Sequence, residues 1–140
     1  MVAAFMYHLY AQSFFFFLQD LQHFPRIQVK LKLQKRDSDD RKYVALSIKL
    51  EKTNFRQNTS RAFAPRFPKL KDEAWWLVLG NTATSELYAL KRVSFSDRLV
   101  TNTELPSTQT TFQGMKLKLV SDCYIGFEQE HSIEELIKKQ

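Results

Sequence analysis

The sequence predicts an all-β fold: an immunoglobulin-like or fibronectin type III-like (E-set) antiparallel sandwich of about seven strands. Three observations lead there. Apolar residues recur at every second position in several short runs, polar or proline-bearing turns separate the runs, and no amphipathic stretch of ten or more residues lies between them. Without βαβ alternation, two packed antiparallel sheets are the economical way to bury such strands. The chain has 140 residues, 44% hydrophobic and 26% charged, which is a folding composition sized for one domain plus an arm. We divide it into an apolar arm, residues 1–19, and a sandwich domain, residues 20–140.

The elements follow in order. Residues 1–18, MVAAFMYHLYAQSFFFFL, are apolar except His8, Gln12 and Ser13. Three readings compete for this arm: a signal peptide, a signal anchor, and a helix that is buried or covered by a partner, with an artefactual start set beside the last. The positive n-region and small-residue cleavage site of a signal peptide are missing. The stretch sits at the lower limit of length for a span. Four consecutive phenylalanines, Phe14 to Phe17, cannot all be buried by one helical stripe.

From Phe24-Pro25 the period becomes two. Ile27, Val29, Leu31 and Leu33 alternate with Gln28, Lys30, Lys32 and Gln34, and after the polar turn Arg36 to Arg41 so do Val44, Leu46, Ile48 and Leu50. These are adjacent antiparallel strands with lysines outward. Residues 53–70 hold Pro65 and Pro68, do not alternate, and read as a long loop. Trp75 to Gly80 is continuously apolar, as a central strand is; Asn81 to Ser85 turns; Glu86 to Phe95, Arg98 to Leu105 and Met115 to Val120 are further strands. The tail, Gln129 to Ile137, fits either a short helix capped by Ser132-Ile133-Glu134-Glu135 or a last strand with Ile133 inward.

Counts remove whole classes of function. One cysteine, Cys123, excludes an internal disulfide and a Cys-based zinc site. His8, His23 and His131 form no ligand pair, three glycines leave nothing for a phosphate-cradling loop, and both nucleotide-binding glycine motifs are missing. No cofactor, metal or catalytic residue is expected. Net charge is +6, but it is uneven: −1 over residues 1–25, +10 over 26–71 and −3 over 72–140.

Several constellations could carry function. On a strand Trp75 and Trp76 point to opposite faces, one into the core and one toward a covering loop or a partner. Residues 53–71 interleave Phe55, Phe63 and Phe67 with Arg56, Arg61, Arg66, Lys69 and Lys71. Single-stranded nucleic acid binds such surfaces, an acidic protein also suits them, and a solvated loop with inward phenylalanines explains them equally. Lys30, Lys32, Lys35, Lys49 and Lys52 need only solubility. Cys123 with His131 would be a nucleophile and base, against the simpler reading of a small buried thiol. Asp122, Glu128 and Glu130 have poor spacing for calcium. Asn58-Thr59-Ser60 is a glycosylation sequon that matters only in a secretory compartment.

Four motifs occur in order: Ala64-Pro65-Arg66-Phe67-Pro68, Glu73-Ala74-Trp75-Trp76, Leu90-Lys91-Arg92-Val93, and Ser121-Asp122-Cys123-Tyr124-Ile125-Gly126-Phe127-Glu128-Gln129-Glu130. Over about residues 20–137 the chain resembles the C-terminal β-sandwich of the Sec63 homology unit of large Ski2-like DExH-box RNA helicases, closest to the cointegrator-complex branch. A related unit serves the endoplasmic reticulum translocon.

The resemblance implies a non-catalytic interaction or scaffold domain, with the ATPase motor upstream and none of its motifs in this chain. It implies docking on the helicase core, on helical-bundle domains and on other subunits, in the nucleus or cytoplasm. Trp75, Trp76, Asp122, Tyr124 and Gly126 are then structural signature residues, with Gly126 making a turn and Tyr124 lending ring and hydroxyl to a corner. Arg66, Lys91 and Arg92 become candidates for domain contact. Residues 1–19 depart from the pattern, and a truncated product of a longer helicase gene is the expectation they raise. A single-stranded nucleic-acid module and a translocon-type membrane fragment are the alternatives.

Overall fold

A computed structural model describes residues 2–34, 43–54, 60–106 and 112–138. In chain order these form α1 (Val2–Leu21), β1 (Ile27–Gln34), β2 (Tyr43–Lys52), β3 (Trp75–Asn81), β4 (Glu86–Val93), β5 (Arg98–Pro106), β6 (Met115–Ser121), β7 (Glu128–Ser132) and α2 (Ile133–Lys138). The strands make two antiparallel sheets, β1-β2-β5 and β4-β3-β6-β7. The expected all-β sandwich is therefore present, with a helix at each end of the described chain. Constant-type immunoglobulin domains place the fourth strand on the sheet of the first two. Here the tight turn after Asn81 makes a β3–β4 hairpin, so β4 stays on the sheet of β3.

Alternation dictates the layering. Leu46, Ile48 and Leu50 of one sheet face Trp75, Leu77, Leu79, Met115, Leu117 and Leu119 of the other, all buried. Each such side chain contributes roughly 1.5–3 kcal/mol on burial. The tail divides: a strand ends at Ser132, and Ile133, which the strand reading placed on the strand, opens α2 instead and is fully buried in the core. Among the described residues Asn81 organises the β3–β4 turn. Its Oδ1 accepts from the Ala83 and Thr84 backbone N–H groups, and its Nδ2 donates to the Gln113 carbonyl. The side-chain oxygen thus does what a backbone carbonyl does in an ordinary turn.

The two open sides of the sandwich are closed by polar groups. Lys91 pairs with Leu77 in register and so lies on the inner side of edge strand β4; its Nζ donates to Thr101 Oγ1 on β5 at 2.5 Å. On the opposite side Gln129 of β7 donates from Nε2 to the Ile27 carbonyl of β1 at 2.8 Å. Inward polar side chains on edge strands discourage further pairing. They also explain why β4 and β7 read weakly as strands.

α1 packs differently. Its described side chains are exposed, including Phe14 to Phe17 at 57–62%. No helix among the described residues is long and apolar enough to cross a membrane.

Candidate docking surface

The long loop after β2 is anchored before it becomes a surface. Its two ends run side by side: the Ala62 N–H donates to the Lys71 carbonyl, the Glu73 N–H to the Ser60 carbonyl, and Arg61 bridges Asp72. At its tip Ala64-Pro65-Arg66-Phe67 is a β-turn, with the Phe67 N–H donating to the Ala64 carbonyl at 3.0 Å. Proline at the second turn position presets that geometry. Arg66, Phe67, Lys69 and Leu70 are exposed there, Leu70 at 80%.

Tyr124 ties this loop to both the last turn and the helix. The Phe63 N–H donates to the Tyr124 hydroxyl. The Tyr124 ring meets Phe24 edge-on at 5.0 Å and Phe127 at 5.5 Å, while His23 stacks on Phe63 at 4.2 Å. Offset and edge-on aromatic pairs of this kind add to simple burial. Burial pushes the Tyr124 phenol up to about 12. Gly126 follows at φ +81°, a left-handed backbone, and a Cβ there would meet nothing within 4 Å. Conformation, not space, selects glycine. Beside it Ile125 is fully exposed. One end of the sandwich thus presents α1, Phe67, Leu70 and Ile125 as apolar surface, with Arg66 and Lys69 near the tip.

Asp122 anchors the same turn. Arg92 Nε and Nη2 both donate to its Oδ2, at 3.0 and 2.6 Å, and Lys71 Nζ donates to its carbonyl at 3.3 Å. Two of the candidate contact residues therefore already have partners within the fold: Arg92 on Asp122 and Lys91 on Thr101. Arg61 closes the base of the loop, Arg66 and Lys69 stand on it, and Arg56, like Phe55, Lys35 and most of the sequon, lies outside the described residues. Of the interleaved aromatics, Phe63 is spent in the Tyr124 cluster and Phe67 is exposed.

The tryptophans divide as alternation requires. Trp75 is buried, and Trp76 is half-buried on the outer face beside Arg92 and Val120. That face continues through Val78 to Leu87 and Leu90, which are exposed, and ends in the ion pairs Lys116–Glu130 at 2.6 Å and Lys118–Glu128 at 3.1 Å. These pairs take up Glu130 and Glu128, and Arg92 takes up Asp122, the three acids whose spacing is poor for calcium. Among the described residues no group of three or more metal-ligating side chains occurs.

Cys123 is half-buried, its thiol pushed up chiefly by burial, the opposite of nucleophile activation. His131 pairs with Leu117, four residues along β6 from Ser121. That is about 13 Å at the rise of a strand, too far for a base.

The sequence reading missed one interior charge pair. Lys52 was counted among the solvated lysines, yet its Nζ lies 2.8 Å from Glu73 Oε1, with side chains 11% and 5% exposed. The Trp75 indole N–H also faces Glu73 Oε1, at 3.4 Å, and Lys52 sits over the Phe95 ring. The signal was a glutamate directly before the apolar Ala74-Trp75 pair, where a carboxylate needs a cation to be buried.

The described residues form a two-sheet sandwich that presents apolar and basic surface at one end. The chain belongs to the Sec63 Brl domain family, whose match covers residues 1–134. That match takes in residues 1–19, which the sequence reading set apart. The chain is 66% identical over 122 residues to the DExH-box ATP-dependent RNA helicase DExH14 of Arabidopsis thaliana, covering 86% of this chain and 6% of that protein. It is 39% identical over 103 residues to activating signal cointegrator 1 complex subunit 3 of Rattus norvegicus, covering 67% and 4%. The U5 small nuclear ribonucleoprotein 200 kDa helicase of Caenorhabditis elegans is 28% identical over 113 residues, covering 79% and 5%. The chain therefore spans about one-twentieth of the length of these relatives.

Proposed function

We propose that this domain is a non-catalytic docking module of a DExH-box RNA helicase, seated on neighbouring domains of the same protein and on partner subunits, in the nucleus or cytoplasm. One observation carries the reading. α1 exposes apolar side chains around its circumference, and the chain just after it is pinned by Phe24 to the turn that exposes Ile125 and by His23 to Phe63 of the loop. A helix with that surface needs cover. Membership of the Sec63 Brl domain family and the helicase relatives support the kind of protein that provides it.

The test adds the chain in trans to a DExH14-type helicase truncated before its own corresponding domain. Size-exclusion chromatography should show a complex that Phe15→Ser/Phe16→Ser weakens at least tenfold; no complex with the unaltered chain refutes the reading. The purified chain should show no ATP turnover. Single-stranded RNA binding through Arg66, Phe67 and Lys69 is the second reading. It predicts binding at low salt that falls steeply in log affinity with log salt.

A further inference from the structure

The side of the sandwich between β1 and β7 holds an opening unrelated to the α1 end. A cavity of about 550 Å³ is lined by Val29 and Leu31 of β1, Leu136 and Glu135 of α2, His131 and Ser132 of β7, and the Lys116–Glu130 pair. The Gln129–Ile27 hydrogen bond closes one end, and α2 closes the other. β1 is the edge strand of its sheet, so one row of its backbone N–H and C=O groups is left without a strand partner. Ile27 to Leu31 spans about 13 Å at the rise of a strand, room for four extended residues.

We propose that this opening binds an extended segment of a partner protein in which apolar and acidic residues alternate, added as a short strand to the edge of β1. Period-two geometry assigns the side chains. Those of the added strand that share the face of Val29 and Leu31 enter the cavity above Leu136. Those on the other face stand beside Lys30 and Lys32, with Lys49, itself paired with Glu51 at 3.3 Å, across from Lys30 in register. Opposite charges at neighbouring strand positions attract, and like charges repel. Carboxylates are therefore preferred there, and a second copy pairing through β1 would set lysines against lysines. Glu130 is engaged by Lys116, and Glu135 lies on α2, across the opening from β1. Backbone hydrogen bonds would supply affinity, and the cavity and the lysine face selectivity, as in other strand-addition complexes.

The experiment titrates the isotope-labelled full chain with acetyl-Glu-Val-Glu-Leu-Glu-Val-amide and follows amide shifts and hydrogen exchange. Saturable shifts and slowed exchange confined to β1, β7 and α2 are expected. Lys30→Glu/Lys32→Glu, both exposed and safe for folding, should weaken this peptide about tenfold and strengthen the Lys-Val-Lys-Leu-Lys-Val counterpart about equally. Shifts centred on Leu87 and Leu90, an affinity unchanged by the charge reversal, no binding, or a β1-mediated dimer of the free chain would each overturn the proposal.

Discussion

Lys52→Met removes the ammonium that faces Glu73 and leaves the carboxylate in the interior without a cation, beside the Trp75 indole N–H and the Tyr124 hydroxyl. At 2.8 Å and an effective dielectric of about 20, the attraction in the intact pair is about 6 kcal/mol. Taking two ions out of water costs several kcal/mol each, so the net contribution of the pair is small. Removing one partner is a different perturbation, because Glu73 keeps its desolvation cost and loses its compensation. With both side chains nearly out of contact with solvent, the expected loss is about 3–5 kcal/mol. That is a large share of the ~5–15 kcal/mol of an ordinary domain.

Urea denaturation of the full chain, followed by tryptophan fluorescence, measures it through the midpoint at constant slope. Lys52→Met/Glu73→Leu should recover most of the loss and come within about 1 kcal/mol of the unaltered protein, since an apolar pair of similar volume often replaces a buried ion pair without penalty. A single-variant loss under about 1 kcal/mol, or a double-variant loss equal to the sum of the singles, would refute the reasoning.

The corner around Tyr124 yields three more predictions. Tyr124→Phe keeps the ring contacts but strands the Phe63 N–H, at about 1–2 kcal/mol in the same denaturation assay. Gly126→Ala meets no steric obstacle, so its expected cost of about 1 kcal/mol is the left-handed backbone alone, and Gly126→Asn should cost less. The Tyr124 phenol is raised to about 12 from an ordinary 10, so the folded state holds its proton more tightly than the unfolded one. Its contribution is complete below pH 10 and is lost as pH rises from 10 through 12. Alkaline melts should steepen over that window, by up to roughly 3 kcal/mol, and the steepening should vanish in Tyr124→Phe.

The layering was legible because it depends only on which side of a strand each residue faces. Leu46, Ile48 and Leu50, like Leu117 and Leu119, declare their face by alternation, and the continuous run from Trp75 marks a central strand paired along both edges. Edge strands obey another rule. Lys91, Gln129 and His131 face inward precisely because an edge benefits from polar closure, so their alternation is blurred. The Tyr124 corner was half legible. Gly126 and Tyr124 signalled a turn, but Phe63 and Phe24 join them from about 60 and 100 residues away, a pairing no local pattern encodes. Lys52 was misassigned because its partner, Glu73, lies beyond an irregular loop. A charge that will be neutralised by a distant one looks, in sequence, like any other surface charge.

The Tyr124 cluster also has a schedule. α1 precedes every strand of the sandwich in the chain, so it emerges with nothing of this sandwich to lie against. Phe63 emerges midway, while Tyr124 and Phe127 belong to the last fifth of the chain. The direction of the helix is therefore settled only when the final hairpin closes. Until then an apolar helix travels with a half-built sandwich, a state that favours early capture by a neighbour or a chaperone. Weakening the corner would thus first show as a loss of yield during synthesis, before the finished domain was measurably less stable.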